Sequence, residues 1–392
     1  MNTRMLVVGG GIGGLAAALA CSRSHAEIKL FERASEFTEV GAGIQLGPNV
    51  VKVLDEWGLQ DALTAVAAFP DRLQVRSALS GRELGVLRLG VDMVQRYGAG
   101  YATIHRADLQ GLLLAAVRQR KAVQLHLNTE IDRFEQSDAG VTIHTKDGRK
   151  ARADVLVGAD GLWSRVRQGL LVDGGPIPTG QLAYRALVAQ SSLPEKLRSG
   201  QVTAWLGPRL HVVQYPVRAG EWLNVVAIVP GRQLGNSTSW DRGANAVKLR
   251  RSLTGICAPL QDLINAIDSW RLWALNIRMP MQGPHELAQG RVALLGDAAH
   301  PMVPFLAQGA GMAIEDAQAL GAALGVSGLD ASAALRNYAN RRWRRNARVQ
   351  ARSLRNGRIF HATGLVRWGR DTAMKVLGER LLDVPWLYRG AS

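Results

Sequence analysis

Apolar residues fall into two patterns along the chain. Short uncharged runs occur at Met5-Leu6-Val7-Val8, Val155-Leu156-Val157 and Val292-Ala293-Leu294-Leu295. They lack the alternation of a half-exposed strand and predict strands buried on both faces, as in a parallel sheet. Each run ends in a glycine-bearing turn. A further apolar strand is predicted over 28–31, a helix over 50–56 behind Pro48-Asn49, and a helix beginning at Ile104-His105-Arg106 and reaching about 119. Segments 123–127, 130–136 and 141–145 read as strands, with Lys146-Asp147-Gly148-Arg149 as a hairpin turn. The second pattern occupies the middle of the chain. Segments 181–189, 201–206, 210–217 and 222–229 are extended and separated by Gly and Pro, which predicts an inserted antiparallel sheet. Residues 73–89 add weakly alternating strands around Ser80-Gly81-Arg82. Residues 244–269 and 313–324 are helical in pattern, and a long basic helix and a short tail ending Asp383-Val384-Pro385-Trp386-Leu387-Tyr388 finish the chain.

The expected fold is therefore α/β: a Rossmann-like domain, an inserted antiparallel-sheet domain and a C-terminal helical segment. We draw the first domain over 1–72, 98–175 and 276–325, the second over 73–97 and 176–275, and the helical segment over 326–392. A chain of 392 residues accommodates two domains.

The first buried run leads into chemistry. Gly9, Gly11 and Gly14 stand at the spacing G-x-G-x-x-G, and Leu15-Ala16-Ala17-Ala18-Leu19 opens a helix. The glycines allow a tight turn, backbone approach to a pyrophosphate, and close packing of helix on strand. The helix N-terminus supplies unpaired N–H groups for phosphate oxygens. The second strand ends in Glu32, where a carboxylate can take ribose hydroxyls. Strand, glycines, helix, strand and acid in that order predict a dinucleotide site.

Composition narrows the class. No apolar run approaches the roughly 18 residues of a membrane span, and the N-terminus runs directly into the glycine-rich unit without a signal-peptide pattern. Cys21 and Cys257 are far apart in sequence and form no C-x-x-C, which fits a reducing, cytoplasmic setting. The net charge of +16 suits anionic small molecules. Zinc spacing, aromatic RNA-binding motifs and a basic arm are all missing, which argues against nucleic acid. Residues 341–370 hold ten arginines and no acid. They read as a basic helical face for an acidic partner surface or for peripheral contact with anionic lipid. No metal-ligand cluster stands out among the eight histidines.

Further candidates follow in chain order. Glu39-Val40-Gly41-Ala42-Gly43-Ile44-Gln45-Leu46-Gly47-Pro48-Asn49 permits close backbone approach to a ligand. Arg106 lies in a helix's first turn, where the dipole disfavours a cation, and this points to another job such as a cofactor contact. Gly158-Ala159-Asp160-Gly161 and Gly296-Asp297 end buried strands, where ligands sit in open α/β sheets. In 210–217, period two places His211, Val213 and Tyr215 on one face, with His211 and Tyr215 roughly 13 Å apart along the strand. That pair can flank a small ring but not bond to one atom.

Three stretches together resemble the single-component FAD-dependent aromatic hydroxylases typified by p-hydroxybenzoate hydroxylase. They are Gly9–Gly14 with Glu32, Gly158-Ala159-Asp160-Gly161-x-x-Ser164-x-Val166-Arg167, and Gly296-Asp297-Ala298-Ala299-His300-Pro301. In detail the chain is similar to the branch of salicylate, 3-hydroxybenzoate and 6-hydroxynicotinate hydroxylases. The resemblance implies FAD, with NADH or NADPH and O2 as co-substrates, and hydroxylation of a small aromatic through a flavin C4a-hydroperoxide. It implies FAD contacts at Gly9, Gly11, Gly13, Gly14, Glu32, Arg33, Gln45, Arg106, Asp160, Asp297, Gly309 and Ala310. Met302, Val303, Pro304 and Phe305 would line an apolar pocket that withholds water. His211 and Tyr215 match an H-x-x-x-Y pair of the branch; His211 would act as base on a ring hydroxyl and Tyr215 would orient the ring. Two positions depart from the pattern. Pro304 stands where 3-hydroxybenzoate enzymes carry Gln, and Gln45 and Phe305 stand where 6-hydroxynicotinate enzymes carry His. The substrate stays open between these classes. A hydroxylase of a quinone precursor at a membrane surface and a non-catalytic FAD-binding regulator are the alternatives, and a homodimer or a monomer is expected.

Overall fold

In the computed structural model the first apolar run, Arg4–Val8, lies inside a six-stranded sheet. The structure describes residues 3–37, 42–231, 242–244 and 246–390. Glu39, Val40 and Gly41 of the candidate loop lie outside them. By contacts the chain divides into two compact units. One comprises Met1–Glu39, Leu109–Ile177 and Ile277–Ser353; the other comprises Val40–Asp108, Pro178–Asn276 and Leu354–Ser392.

In the first unit the sheet order is Ala288–Gln289, Val292–Leu294, Val155–Gly158, Arg4–Val8, Glu27–Phe31, Val123–His126. All neighbours are parallel except the edge pair Ala288–Gln289 with Val292–Leu294. Met5, Leu6, Val7, Val155, Leu156, Val157, Val292, Ala293 and Leu294 are almost wholly buried. Burial on both faces explains why these strands carry no polar alternation. Helices Ile12–Arg23 and Gly309–Leu324 pack on each other. A separate three-stranded antiparallel sheet is formed by Ile131–Ser137, Gly140–Thr145 and Lys150–Ala153.

The second unit is built on an eight-stranded sheet in the order Arg242–Ala244, Trp270–Ile277, Ile177–Ala189, Trp222–Pro230, Leu210–Val217, Val202–Gly207, Arg72–Ser77, Glu83–Arg88. It departs from the expected antiparallel sheet where Val202–Gly207 runs parallel to Arg72–Ser77. Those two strands come from widely separated stretches of chain, so no hairpin fixes their relative direction. One face of the sheet, with Tyr184, Leu210, Val212, Val225 and Ala227, packs against Leu249 of helix Ala246–Ser252, Leu253 just beyond it, and Leu260 and Leu263 of helix Ala258–Asn265. The opposite face therefore receives Arg185, His211, Val213, Tyr215, Asn224 and Val226.

Two local expectations change. Ile104 and His105 belong to strand Ala102–His105, and the helix starts at Arg106. The helical pattern over 244–269 resolves into two helices, broken where Gly255 takes φ +74 and Pro259 follows.

Candidate active site

The dinucleotide cradle is built into the first unit. Gly9 takes φ +106, and a Cβ there would lie 2.4 Å from the Ala159 carbonyl oxygen. A Cβ on Gly14 would lie 1.8 Å from the Gly9 oxygen, so helix and turn approach as closely as backbone permits. Helix Ile12–Arg23 starts at Gly11 with no side-chain cap and no acid in its first turn. Its leading N–H groups are thus available to an anion. Glu32 accepts from the Gly10 N–H at 2.6 Å and the Ala34 N–H at 2.8 Å, which ties the end of its strand to the glycine turn. Gln110 donates to the Gly10 carbonyl at 3.0 Å from the other side. Arg33 is exposed.

The Asp160 carboxylate serves the turn it ends. It accepts from the Ser164 hydroxyl at 2.5 Å and from the Arg165 and Val166 N–H groups at 2.7 and 3.2 Å. Burial raises its pKa from the ordinary carboxylate value, although these bonds pull the other way. Asp297 is different: it is half-buried and takes no hydrogen bond from any described residue. Next to it, the 2 % exposed Arg167 donates to the Ala298 and Ala299 carbonyls at 3.3 and 2.5 Å and pairs with Asp173 at 2.6 Å. Arg167 thereby fixes the backbone that presents Asp297. Helix Gly309–Leu324 begins with Gly309 and Ala310, again with no acid in the first turn and no side-chain cap. An open helix N-terminus, glycines that exclude a side chain and an unengaged Asp297 fit a flavin dinucleotide. Met302 is half-buried, Val303 and Phe305 are buried, and Pro304 is exposed.

The second unit carries the other candidates. Strand Leu210–Val217 pairs His211 with Ile228 and Tyr215 with Asn224 across the sheet. Gln45, on strand Gly43–Leu46, accepts from the Tyr101 hydroxyl at 2.7 Å and is hydrogen-bonded to Tyr215. Burial raises the Tyr215 phenol pKa, so it is a neutral hydrogen-bonding group near pH 7. Gly43 sits against this cluster; its N–H donates to Asn224 Oδ1 at 2.7 Å, and a Cβ there would lie 2.7 Å from both Tyr215 and Asn224. Arg106 opens helix Arg106–Arg118, and its N–H donates to the Ala42 carbonyl at 2.8 Å.

Two groups on this face escaped the reading of the sequence. Arg185 stacks over Trp273 with its guanidinium carbon 3.6 Å from the ring centroid, and its buried Nε has no hydrogen-bond partner. Burial lowers its pKa to about 10, so it stays charged at neutral pH. Asn224 is wholly buried, and its Nδ2 is likewise without a partner. Buried donors left unmade cost stability, so two on one face mark a place that an acceptor fills. The signal in the sequence was an arginine alternating with core residues in Leu182-Ala183-Tyr184-Arg185-Ala186-Leu187.

The arginine-rich stretch changes meaning. In helix Ala331–Phe360, Arg342 is 1 % exposed and binds Asp316 at 2.8 Å and Glu315 at 2.7 Å, while Arg345 binds Glu315 at 2.7 Å. Arg370 is also buried and donates to the Ile359 and Phe360 carbonyls. The expected uniform basic face is thus partly internal, because Glu315 and Asp316 supply the anions that residues 341–370 lack.

A family model described as "FAD binding domain" matches residues 2–353. The chain belongs to this family. A 3-hydroxybenzoate 6-hydroxylase of Polaromonas naphthalenivorans is 38% identical over 98% of this chain and 95% of its own length. Klebsiella pneumoniae HpxO, solved with FAD and uric acid, superposes with a TM-score of 0.85 at 28% identity, covering 97% of this chain and 94% of its own. A salicylate hydroxylase substrate complex gives 0.83 at 29% identity, covering 99% and 95%. The protein is an FAD-dependent aromatic hydroxylase, a monooxygenase with NAD(P)H as co-substrate. No described helix of this flavoprotein is long and apolar enough to cross a membrane.

Proposed function

We propose that the protein hydroxylates a small aromatic carboxylate that also bears a ring hydroxyl, a molecule of the 3-hydroxybenzoate kind. The observation that carries this reading is one sheet face holding His211 and Tyr215 together with the unpartnered buried donors of Arg185 and Asn224. When bound, FAD with NAD(P)H as reductant would supply the activation of O2, the source of the oxygen atom that enters the ring. Arg185 holds the carboxylate through a charge-assisted bond, and the Asn224 amide adds a second donor. Tyr215, fixed by Gln45, sets the tilt of the ring. His211 takes the proton of the ring hydroxyl, which makes the ring electron-rich enough for electrophilic attack. In the other unit, Glu32 and the open end of helix Ile12–Arg23 hold the adenosine diphosphate end of the cofactor. Asp297 would hold the ribityl chain, and the N-terminus of helix Gly309–Leu324 would favour negative charge on the bound cofactor. Met302, Val303 and Phe305 withhold water.

The Arg185→Met holoenzyme tests the carboxylate assignment. A hydrogen bond to a charged group contributes about 1.5–3 kcal/mol, so KM for 3-hydroxybenzoate should rise roughly 10–100-fold. The response to 3-methylphenol, which lacks the carboxylate, should barely change. An equal loss for both compounds, or none, contradicts the assignment.

A further inference from the structure

His211 does not stand alone. Its Nδ1 lies 2.7 Å from Nε2 of His361, and Nδ1 of His361 lies 3.2 Å from the side-chain nitrogen of Gln181. The three residues come from strand Leu210–Val217, the turn after helix Ala331–Phe360, and strand Ile177–Ala189. The contact is braced on both sides. The Arg209 N–H donates to the His361 carbonyl at 3.1 Å, and the Phe360 ring meets His211 edge-on at 5.8 Å between centroids. His211 is 5 % exposed, whereas His361 is half-buried. The row runs from the inner sheet face towards a more open position.

We propose that His211, His361 and Gln181 form a proton relay that carries the proton of the substrate's ring hydroxyl away from the site. The inference rests on the assignment of His211 as base made above. In the starting arrangement both imidazoles are neutral, each with its single proton on Nδ1. His211 Nδ1–H donates to His361 Nε2, His361 Nδ1–H donates to Gln181 with that side-chain amide turned so that its oxygen replaces the nitrogen at the ring, and His211 Nε2 accepts from the substrate. The substrate O–H bond breaks as its proton joins His211 Nε2. The proton on His211 Nδ1 passes to His361 Nε2, and the proton on His361 Nδ1 leaves to water. Both rings finish neutral with the proton on Nε2, and His361 Nδ1 then accepts from the Gln181 amide N–H. One proton enters, one leaves, and the substrate is an anion.

Electrostatics makes such an exit useful. Burial, and then the neighbouring ring, hold His211 well below the ordinary histidine range. Burial, and then Arg370, lower His361 to about 4. The Arg370 guanidinium itself pairs with Asp371 at 2.7 Å. A buried imidazolium is therefore a poor store for the proton, and a relay avoids storing it.

The test uses holoenzyme with 3-hydroxybenzoate and, as a ligand with no ring hydroxyl, benzoate. Ultraviolet difference spectra report the bound phenolate, and turnover reports kcat against pH. His361→Ala is expected to lower the phenolate fraction at pH 7 and reduce kcat by about tenfold or more. It should move the acidic limb of the pH profile upward, raise H2O2 release per NAD(P)H, and leave benzoate affinity unchanged. Added imidazole should restore part of the rate. His361→Gln keeps a hydrogen-bonding side chain but cannot pass a proton, so it should stay defective; a wild-type phenolate fraction in His361→Gln would overturn the relay. Should either variant lose FAD, the proton inventory of the wild type in H2O–D2O mixtures decides. Curvature from more than one proton in flight supports the relay, and a linear dependence overturns it. His211→Ala separates the two levels: if its loss is large and the His361 variants behave as wild type, the relay fails and the base assignment stands. If His211→Ala is itself unchanged, the base assignment fails.

Discussion

Single residues decide what this protein can hold. Gly43 shows how tightly the sheet face is constrained, because a methyl group there meets Asn224 at its Cβ and Cγ, atoms too close to the backbone to swing aside. Overpacking of this kind costs typically about 1–3 kcal/mol. In Gly43→Ala, kcat/KM for a hydroxybenzoate should fall roughly tenfold or more with FAD content retained, since Tyr215 and Asn224 must shift; wild-type kcat/KM with full flavin would show that their placement is not critical. The glycines at 9, 11 and 14 were legible in the sequence because turn, helix and strand follow one another within a few residues. His211 and Tyr215 were legible as a shared face because period two is local. Arg185, Asn224 and His361 were not. Their meaning arises from strand register, as where Tyr215 faces Asn224, and from a contact between His211 and His361, 150 positions apart. No local pattern encodes either.

At the level of elements, the helix Ala331–Phe360 has the largest unforeseen role. Arg342, Arg345, Asn346, Gln350 and Ser353 form a polar stripe that faces protein. Gln350 and Ser353 donate to the Pro301 and Val303 carbonyls, and Arg342 and Asn346 donate to Asp316. His300 Nε2 completes the ring of partners around Asp316. The stripe therefore fixes both the start of helix Gly309–Leu324 and the backbone that follows Asp297. Arg342→Met leaves buried carboxylates undercompensated, a change that costs about 3–5 kcal/mol, and thermal unfolding should begin several degrees lower, with earlier loss of FAD. Burial alone would raise the Asp316 carboxyl, yet His300 and Arg342 hold it below the ordinary range. Its stabilising contribution is accordingly complete above the unfolded value of about 3.9 and lost as pH falls through the lower folded value. The variant's deficit should be largest near neutral pH and narrow in acid; a deficit independent of pH would remove Asp316 from the explanation. The arginines were read as a surface feature because their acids lie on another helix.

On the scale of the whole molecule, two compact units are each assembled from three stretches of chain. The buried parallel runs announced strands of the six-stranded sheet, and the Gly- and Pro-punctuated middle announced the four central strands of the eight-stranded one. What the sequence could not supply was the course of the chain back into each unit, which is set by packing rather than by local pattern. The positive net charge of +16 favours an anionic substrate and agrees with the buried Arg185 Nε that has no hydrogen-bond partner. The central claim is that a carboxylated phenol receives one oxygen atom from O2 on this scaffold. Its most direct test is turnover of the FAD-loaded protein with NADH or NADPH and 3-hydroxybenzoate under 18O2, followed by mass spectrometry of the product. The account predicts a dihydroxybenzoate carrying one 18O atom for each NAD(P)H consumed. Absence of stimulated NAD(P)H oxidation with every hydroxybenzoate and hydroxypyridine carboxylate tried, or oxidation that yields only H2O2 and no labelled product, would contradict it.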